Sequence, residues 1–244
     1  MPGRRLRLAA RLVRRLASSP VPVEPEVAAL DDFLGEGHIC CDIGAEYGLY
    51  TLTFASRAGR TGRVLAFEPL PGPRRFLIRM LRWLGAANVT VRPHALGDEV
   101  RQGTMSLPTR RGLPVHGRAF LTDDADGLGP NAEFAGDRRL RVDVFTLDSV
   151  VDEAGLDRID VIKIDVEGYE PAVLRGAEQT IRRFRPILLI EIEDRHLGKF
   201  GADGATVVDL MTRLGYRMST LWDGRWEPVE TVTERTRNYL FTPS

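Results

Sequence analysis

Residues 41–51 read CDIGAEYGLYT: an apolar run reaches an acid, passes two glycines and enters a segment suited to a helix. The apolar run begins at His38 and predicts a strand over residues 38–43. Glycine at positions 44 and 48 permits a tight turn with positive φ and a close approach of the backbone to a ligand. These features indicate the first strand, turn and helix of an open α/β sheet.

Strand-like and helix-like segments then alternate along the chain. Strands are predicted at 63–68, 89–91, 160–165, 186–191, 216–221 and 239–241, and helices at 49–58, 76–84, 147–154, 171–184 and 206–214. The short turn at Asp223-Gly224 favours an antiparallel finish. We therefore expect a doubly wound, mostly parallel, seven-stranded sheet of the Rossmann-like kind with an antiparallel last strand.

An insert interrupts the alternation at about residues 97–142. It is rich in Gly, Pro and Arg, and only 105–107 and 118–121 suggest short strands. Connections this long inside a compact domain are usually functional or disordered. The insert is therefore expected to contribute to acceptor specificity, with Arg110, Arg111 and Arg118 as possible anion-binding groups.

The N-terminal segment differs from the rest of the chain. Residues 1–30 are expected to form a basic helix and a Pro-rich linker, and 31–244 a single domain. Two interpretations of the helix stay open: docking on its own domain, or an amphipathic contact with a membrane face or a partner. Because the arginines break up its apolar residues, neither a secretory signal nor a membrane span is predicted.

Composition narrows the possible partners and the cell compartment. Lys+Arg and Asp+Glu both number 34, so the formal net charge is zero. A neutral chain with 7% aromatic residues gives little support to nucleic-acid binding. The only cysteines, Cys40 and Cys41, are adjacent in an apolar run, which excludes a disulfide framework and suits the cytoplasm.

Four predicted strands end in an acid: Asp42, Glu68, Asp165 and Glu191. Because the carboxyl ends of parallel strands share one edge of a sheet, these carboxylates are expected to border one pocket. Asp42 occupies the place of the first glycine of G-x-G-x-x-G, so the nicotinamide fingerprint is absent. Glu68 is placed to bind ribose hydroxyls, and the ligand that fits best is an adenosyl group without phosphates.

Several motifs together resemble the FkbM family of S-adenosylmethionine-dependent methyltransferases. They are CDIGAEYGLYT (41–51), AFEP (66–69), HALGD (94–98), TLD (146–148) and IDVIKIDVEGYEPAVLRGA (159–177). The resemblance implies a class I methyltransferase fold and bound S-adenosylmethionine. It also implies O-methylation of a hydroxyl on a sugar, a glycolipid or a small natural product.

The resemblance also assigns roles to individual residues. The implied cofactor-binding residues are Asp42, Gly44, Ala45, Glu46, Gly48, Tyr50, Thr51, Glu68, Pro69, Ala95, Leu96 and Asp165. Among these, Ala95 and Leu96 would cover the adenine, and Asp165, with Glu167, would face the sulfonium and the acceptor. Family members usually have Asn where this chain has Glu46, so an extra negative charge is expected near the cofactor amine.

The proton acceptor is not decided by the sequence. Asp165 and Glu167 are favoured as catalytic bases and His94 is a further candidate, while Glu191 and His116 are weaker ones. Asp165, Glu191 and Asp194 could instead hold Mg²⁺, which would activate a diol.

Other function classes stay open beside a small-molecule or glycan O-methyltransferase. They are a non-catalytic scaffold protein on the same fold, an RNA methyltransferase and, least favoured, a nicotinamide dehydrogenase. The acceptor and the oligomeric state are not encoded in any motif that we can interpret.

Overall fold

The structure, a computed structural model, describes residues 3–17, 23–233 and 235–244. Its helices are α1 (Arg4–Ala17), α2 (Glu26–Ala29), α3 (Leu49–Ala58), α4 (Pro71–Leu84), α5 (Leu147–Glu153), α6 (Glu170–Arg175), α7 (Glu178–Phe184), α8 (Asp194–Leu197) and α9 (Gly204–Arg213). Its strands are β1 (Ile39–Ile43), β2 (Arg63–Phe67), β3 (Val89–Arg92), β4 (Ala95–Leu96), β5 (Arg101–Arg110), β6 (Leu113–Pro114), β7 (Phe120–Leu121), β8 (Gly136–Phe145), β9 (Val161–Ile164), β10 (Ile187–Glu191), β11 (Tyr216–Trp222), β12 (Arg225–Pro228) and β13 (Asn238–Pro243).

The main sheet has the order β12-β11-β13-β10-β9-β1-β2-β3. Strands β3, β2, β1, β9 and β10 are parallel, and β13 runs antiparallel between β10 and β11. The predicted antiparallel last strand is therefore confirmed. The expected count of seven strands is wrong for the described residues, because the Asp223-Gly224 turn folds β12 back onto β11 as an eighth, edge strand.

Helices cover both faces of the main sheet, as the alternation predicts. One face carries α1, α2, α3 and α4, whose apolar side chains pack with those of Cys40, Val64 and Leu189. The opposite face carries α5, α6, α7, α9 and the insert, packed over Cys41 and Ile162. The helix predicted at 171–184 is broken at Gly176-Ala177 into α6 and α7. A Cβ at Gly176 would lie 1.9 Å from the oxygen of Gly97, so only glycine fits between these segments.

The insert forms a second sheet, which corrects the expectation of a mainly irregular segment. Strands β5 and β8 pair antiparallel over their whole length, with β4, β6 and β7 beside them. The short strand predicted at 105–107 is part of β5. Of the short strand predicted at 118–121, residues 120–121 form β7. Alternate residues of β5, such as Met105 and Leu107, face the core. The insert is thus anchored to the domain by its own apolar face.

Helix α1 packs on the domain rather than standing apart from it. Leu6 and Ala10 are buried, and the helix lies against α3, as the docked interpretation expects. Most of the predicted linker, residues 18–22, lies outside the described residues. Within the described part of the chain, no helix is both long and apolar enough to cross a bilayer.

Candidate functional site

A cavity opens at the carboxyl ends of the parallel strands, where the acidic strand ends were expected to meet. Of the predicted site residues, its wall includes Gly44, Glu46, Glu68, Pro69, His94, Ala95, Leu96, Asp165 and Glu167. The insert closes one side with Met105, Phe120 and Leu121. The cavity therefore joins the strand ends of the main sheet to the second sheet.

The turn after β1 brings the backbone to the cavity edge. Gly44 has φ +83°, and a Cβ there would lie 1.8 Å from the carbonyl oxygen of Asp165. The amides of Gly44 and Ala45 donate to the oxygen of Phe67 at 3.1 and 3.0 Å, which ties this turn to the end of β2. Only glycine at position 44 lets the turns after β1 and β9 meet.

Glu68 is fixed against the cavity wall by two backbone amides. Its Oε2 accepts from Glu46 N at 2.8 Å, and its Oε1 accepts from Leu70 N at 2.7 Å. Burial raises the pKa of Glu68 to about 7, against the opposing effect of these two bonds. Each oxygen keeps a lone pair for a hydroxyl ligand, as a ribose-binding carboxylate requires.

Five of the predicted cofactor-binding residues do not reach the cavity wall. They are Asp42, Ala45, Gly48, Tyr50 and Thr51. The side chains of Asp42 and Thr51 bond to each other in the buried layer below the wall, and burial raises the pKa of Asp42 to about 6. A Cβ at Gly48 would lie 2.4 Å from Leu77 Cδ1, so this glycine serves the packing of α3 on α4.

A buried lysine compensates the charge of Asp165. Lys163 Nζ lies 3.5 Å from Asp165 Oδ2, 3.0 Å from Asn238 Oδ1 and 5.3 Å from the centre of the Tyr50 ring. Burial opposes its charge, but the carboxylates around it, Asp165 first, raise the pKa of Lys163. Although burial alone would raise the pKa of Asp165, Lys163 and a hydrogen bond from Glu191 hold it below its usual value.

Glu191 is the protonated member of this group. Burial, and then the negative charge of Asp165, raise the pKa of the Glu191 carboxyl. Arg237 lies 3.7 Å from Glu191 at the same cavity edge. The group therefore presents to the cavity one ionised carboxylate, Asp165, beside one neutral carboxylic acid, Glu191.

Glu167 is supported from behind by two basic side chains. Its Oε2 lies 2.9 Å from Nδ1 of the buried His196, and Lys199 Nζ lies 3.4 Å from the same nitrogen. Burial lowers the pKa of Lys199 to about 8. Nδ1 lies within hydrogen-bond distance of Lys199, whereas Glu167 Oε2 is buried without a hydrogen-bond partner among the described residues. That oxygen therefore remains to accept a hydrogen bond from a ligand.

The turn that carries Glu167 is tightly constrained. Glu167 has φ +57°, and Gly168, with φ +106°, lies so close to α8 that a Cβ would be 2.2 Å from His196 O. Glu170 Oε1 accepts from Val166 N at 3.0 Å and from Gly168 N at 3.2 Å. These contacts fix the position of Glu167 relative to His196.

The two candidate histidines lie elsewhere on the wall. His94 packs against Phe145 with ring centres 4.4 Å apart and ring planes tilted by 52°, and its Nδ1 is buried without a hydrogen-bond partner. Burial lowers the pKa of His94, so the ring is neutral at pH 7. His116 Nδ1 lies 3.0 Å from the Tyr47 hydroxyl at the exposed rim.

The magnesium set that the sequence suggested is not assembled. Among residues 3–17, 23–233 and 235–244, no group of three or more His, Cys, Asp or Glu side chains is arranged to hold a metal ion. Asp194 instead accepts from Gly204 N at 2.7 Å, where it supports the start of α9. Asp165 and Glu191 are occupied with Lys163 and with each other.

Sequence reasoning missed four residues of the site. Glu24, from the predicted linker, lines the cavity and accepts from the Tyr50 hydroxyl at 2.5 Å, and Arg237 lines it from before β13. Lys163 and His196 stand behind Asp165 and Glu167. Lys163 left a signal, since a lysine inside an apolar strand run is unusual and calls for a buried partner.

The chemical groups on the cavity wall suit the binding of S-adenosylmethionine. Gly44 allows the backbone to come close to a ligand, which no other residue type would allow at this position. Glu68 presents two lone pairs to a diol. Asp165 supplies a carboxylate with a lowered pKa for a positive group. Ala95 and Leu96 provide a small apolar surface for a flat ring.

Comparisons with known proteins agree with this architecture. A family model described as "Methyltransferase FkbM domain" matches residues 42–218. The AMB antimetabolite synthetase AmbE of Pseudomonas aeruginosa is 32% identical over 84% of this chain and 10% of that protein. Methyltransferase sdnD of Sordaria araneosa is 30% identical over 57% of this chain and 60% of that protein, so this chain spans only part of either relative.

A solved structure supports the fold. Methyltransferase FkbM from Methylobacillus flagellatus aligns with a TM-score of 0.52 at 17% identity, covering 96% of this chain and 58% of that one. At that identity the likeness concerns the fold alone.

Proposed function

The chain belongs to the FkbM family of S-adenosylmethionine-dependent methyltransferases, and on that premise we propose that its acceptor is a hydroxyl of a sugar, a glycolipid or another small natural product. The observation that carries the proposal is the pairing of two carboxylates with different surroundings in one cavity. Asp165 is held ionised beside Lys163, whereas Glu167 faces the buried His196 with its Oε2 lacking a hydrogen-bond partner among the described residues. Methyl transfer to a hydroxyl needs a proton acceptor for the hydroxyl, and a fixed negative charge stabilises the positively charged donor.

The predicted cofactor-binding residues on the cavity wall correspond to different parts of the cofactor. We assign Glu68 to the ribose hydroxyls, Ala95 and Leu96 to the adenine, and Gly44 and Glu46 to the methionine end. When bound, S-adenosylmethionine supplies a methyl group on a positively charged sulfur, and its transfer is an in-line displacement. Asp165 stabilises that positive charge, because its own charge is kept by Lys163.

Glu167 is the base that the geometry favours over Asp165. A carboxylate with a lowered pKa is a poor proton acceptor, and Asp165 is in that state. Glu167 Oε takes the proton of the acceptor hydroxyl, at a position 2.9 Å from Nδ1 of the buried His196. We assign His94 to the cofactor end, since it directly precedes Ala95 and Leu96.

The test is an acceptor screen with isotope-labelled S-adenosylmethionine on methyl glycosides, glycolipids, hydroxylated natural products, amines and RNA. We expect methyl transfer to an oxygen, and a kcat reduced at least ~100-fold in Glu167→Gln. The control is Glu178→Gln, an exposed acid on α7 outside the cavity wall, with kcat unchanged. Transfer only to amines or RNA, or an unimpaired Glu167→Gln, contradicts the proposal.

A further inference from the structure

Helix α1 is apolar on two opposite sides. Leu6, Ala10 and Ala17 are buried against the domain. On the other side, Leu8 is 55% and Leu12 is 59% exposed. Residues that are four apart lie on the same side of a helix, so Leu8 and Leu12 form one outward pair. Packing on this domain explains why the inner side of the helix is apolar. It does not explain the apolar pair on the outer side.

The surface around Leu8 and Leu12 is strongly basic. Helices α1, α3 and α4 contain no acidic residue. The exposed arginines of α1 and α4 are Arg4, Arg5, Arg11, Arg15, Arg75, Arg79 and Arg82. Since the whole chain has zero formal net charge, this concentration of positive charge is local to one side of the molecule.

The two helices adjoin to make a continuous surface. Arg5 Nη1 donates to the backbone oxygen of Trp83 at 3.4 Å, and its guanidinium lies 5.4 Å from the centre of the Trp83 ring. Trp83 is 66% exposed at the end of α4. We name the surface formed by Leu8, Leu12, Trp83 and these seven arginines the arginine–leucine face.

We propose that the arginine–leucine face docks the protein on an anionic lipid bilayer. Arginine side chains are attracted to anionic headgroups, and each contributes separately. Leu8 and Leu12 then enter the headgroup boundary, and Trp83 has the amphipathic ring that favours this depth. Helix α1 lies in the plane of the bilayer, with its inner side still on the domain.

A lipid surface fits better than a nucleic acid. Backbone phosphates would attract the arginines equally well, but they gain nothing from exposed leucines. Nucleic-acid surfaces use exposed aromatic rings for base stacking, but Trp83 already has Arg5 beside it, and Phe76, the other exposed ring of α4, packs edge-on with Tyr47. The leucine pair is therefore the feature that discriminates between the two partners.

The test is co-sedimentation of the full chain with vesicles of phosphatidylcholine, alone or mixed with phosphatidylglycerol. We expect binding only to the mixed vesicles, decreasing as salt is added. Replacing Arg4, Arg11 and Arg15 with Ser should weaken partitioning about fivefold per arginine. Leu8→Ser with Leu12→Ser should weaken it at least about tenfold.

A matched control uses arginines at the far edge of the main sheet. Arg213, Arg217 and Arg225 are exposed on α9, β11 and β12, and their replacement with Ser should leave vesicle binding unchanged. Because all these side chains are exposed, every variant should keep the wild-type urea midpoint and S-adenosylhomocysteine affinity. Those two readouts separate failure of this proposal from failure of the proposed function.

Three results overturn the proposal. The first is that mixed vesicles do not bind the wild-type chain. The second is that the leucine double variant binds them as the wild type does. The third is sedimentation of a dimer without vesicles that the same leucine variant abolishes, since this face would then be covered by a second copy.

Discussion

At the scale of single residues, the site depends on carboxyl groups that burial drives to different protonation states. Asp165 stays ionised because Lys163 and Glu191 stabilise its charge. Burial instead raises the pKa of Glu68 and of Glu170 to about 7, although backbone amides oppose it. The cavity wall therefore combines the ionised Asp165 with Glu68, which titrates near neutral pH, and Glu170 titrates in the same range outside the wall.

Glu170 makes this account testable through stability. Its folded pKa of about 7 exceeds the ordinary 4.5, so the folded chain binds a proton that the unfolded chain releases. The stability that this proton provides is complete below pH 4.5 and is lost as the pH rises through 7. Glu170→Gln cannot titrate, so between about pH 5 and about pH 8 its unfolding free energy should rise relative to wild type by up to about 3 kcal/mol.

Urea unfolding at several pH values measures that difference. Gln keeps the oxygen that accepts from Val166 N and Gly168 N. Glu178→Gln, an exposed acid on α7, is the control, and its curve should stay parallel to that of the wild type. Parallel curves for Glu170→Gln as well would mean that Glu170 is ionised when folded.

At the scale of elements, one turn and a short helix build the half of the site to which we assign the proton acceptor. The turn after β9 carries Asp165 and Glu167, and α8 carries His196. The turn and α8 approach so closely that glycine is the only residue type that fits at position 168. The distance between Glu167 and His196 is therefore set by backbone packing.

Gly168→Ala should lower the unfolding free energy by at least about 3 kcal/mol, because Cβ would meet His196 O and φ is +106°. Gly155→Ala is a matched control: Gly155 also has positive φ, +58°, but no atom within 4 Å of an added Cβ. The control should cost about 1 kcal/mol. Urea denaturation measures both, and equal losses would show that the contact with α8 is soft.

The sequence predicted the elements of the main sheet well, because each has a strong local pattern. Val161–Ile164 and Ile187–Glu191 are continuous apolar runs, as buried parallel strands require. Strand β8 was missed and only 105–107 of β5 was predicted, since the stability of these strands comes from pairing between residues that are 27 to 43 positions apart. Arginines at 138, 139 and 141 also obscure the alternation of β8.

At the scale of the whole molecule, the same distinction between local and distant contacts divides the site. Gly44, Glu68 and Asp165 were predictable, because each ends or follows a strand and motif spacing locates it. Glu24 and Arg237 reach the same cavity from opposite ends of the chain. No sequence pattern relates positions so far apart; only the folded chain brings them together.

The predicted N-terminal helix illustrates what a pattern leaves undecided. Its apolar repeat correctly indicates a helix with a buried side, and α1 packs on α3. The repeat does not reveal that Leu8 and Leu12 form a second apolar side. That feature depends on which side the domain covers.

The central claim is that the cavity at the strand ends binds the adenosyl group with Glu68 on the ribose. Isothermal titration calorimetry of S-adenosylhomocysteine with wild type and Glu68→Gln tests it directly, with Glu153→Gln, an exposed acid on α5, as control and NAD as control ligand. We expect micromolar or tighter binding to wild type and control, binding weakened at least about tenfold in Glu68→Gln, and none of NAD. Absent binding by folded wild type, or equal affinity in Glu68→Gln, would contradict the account.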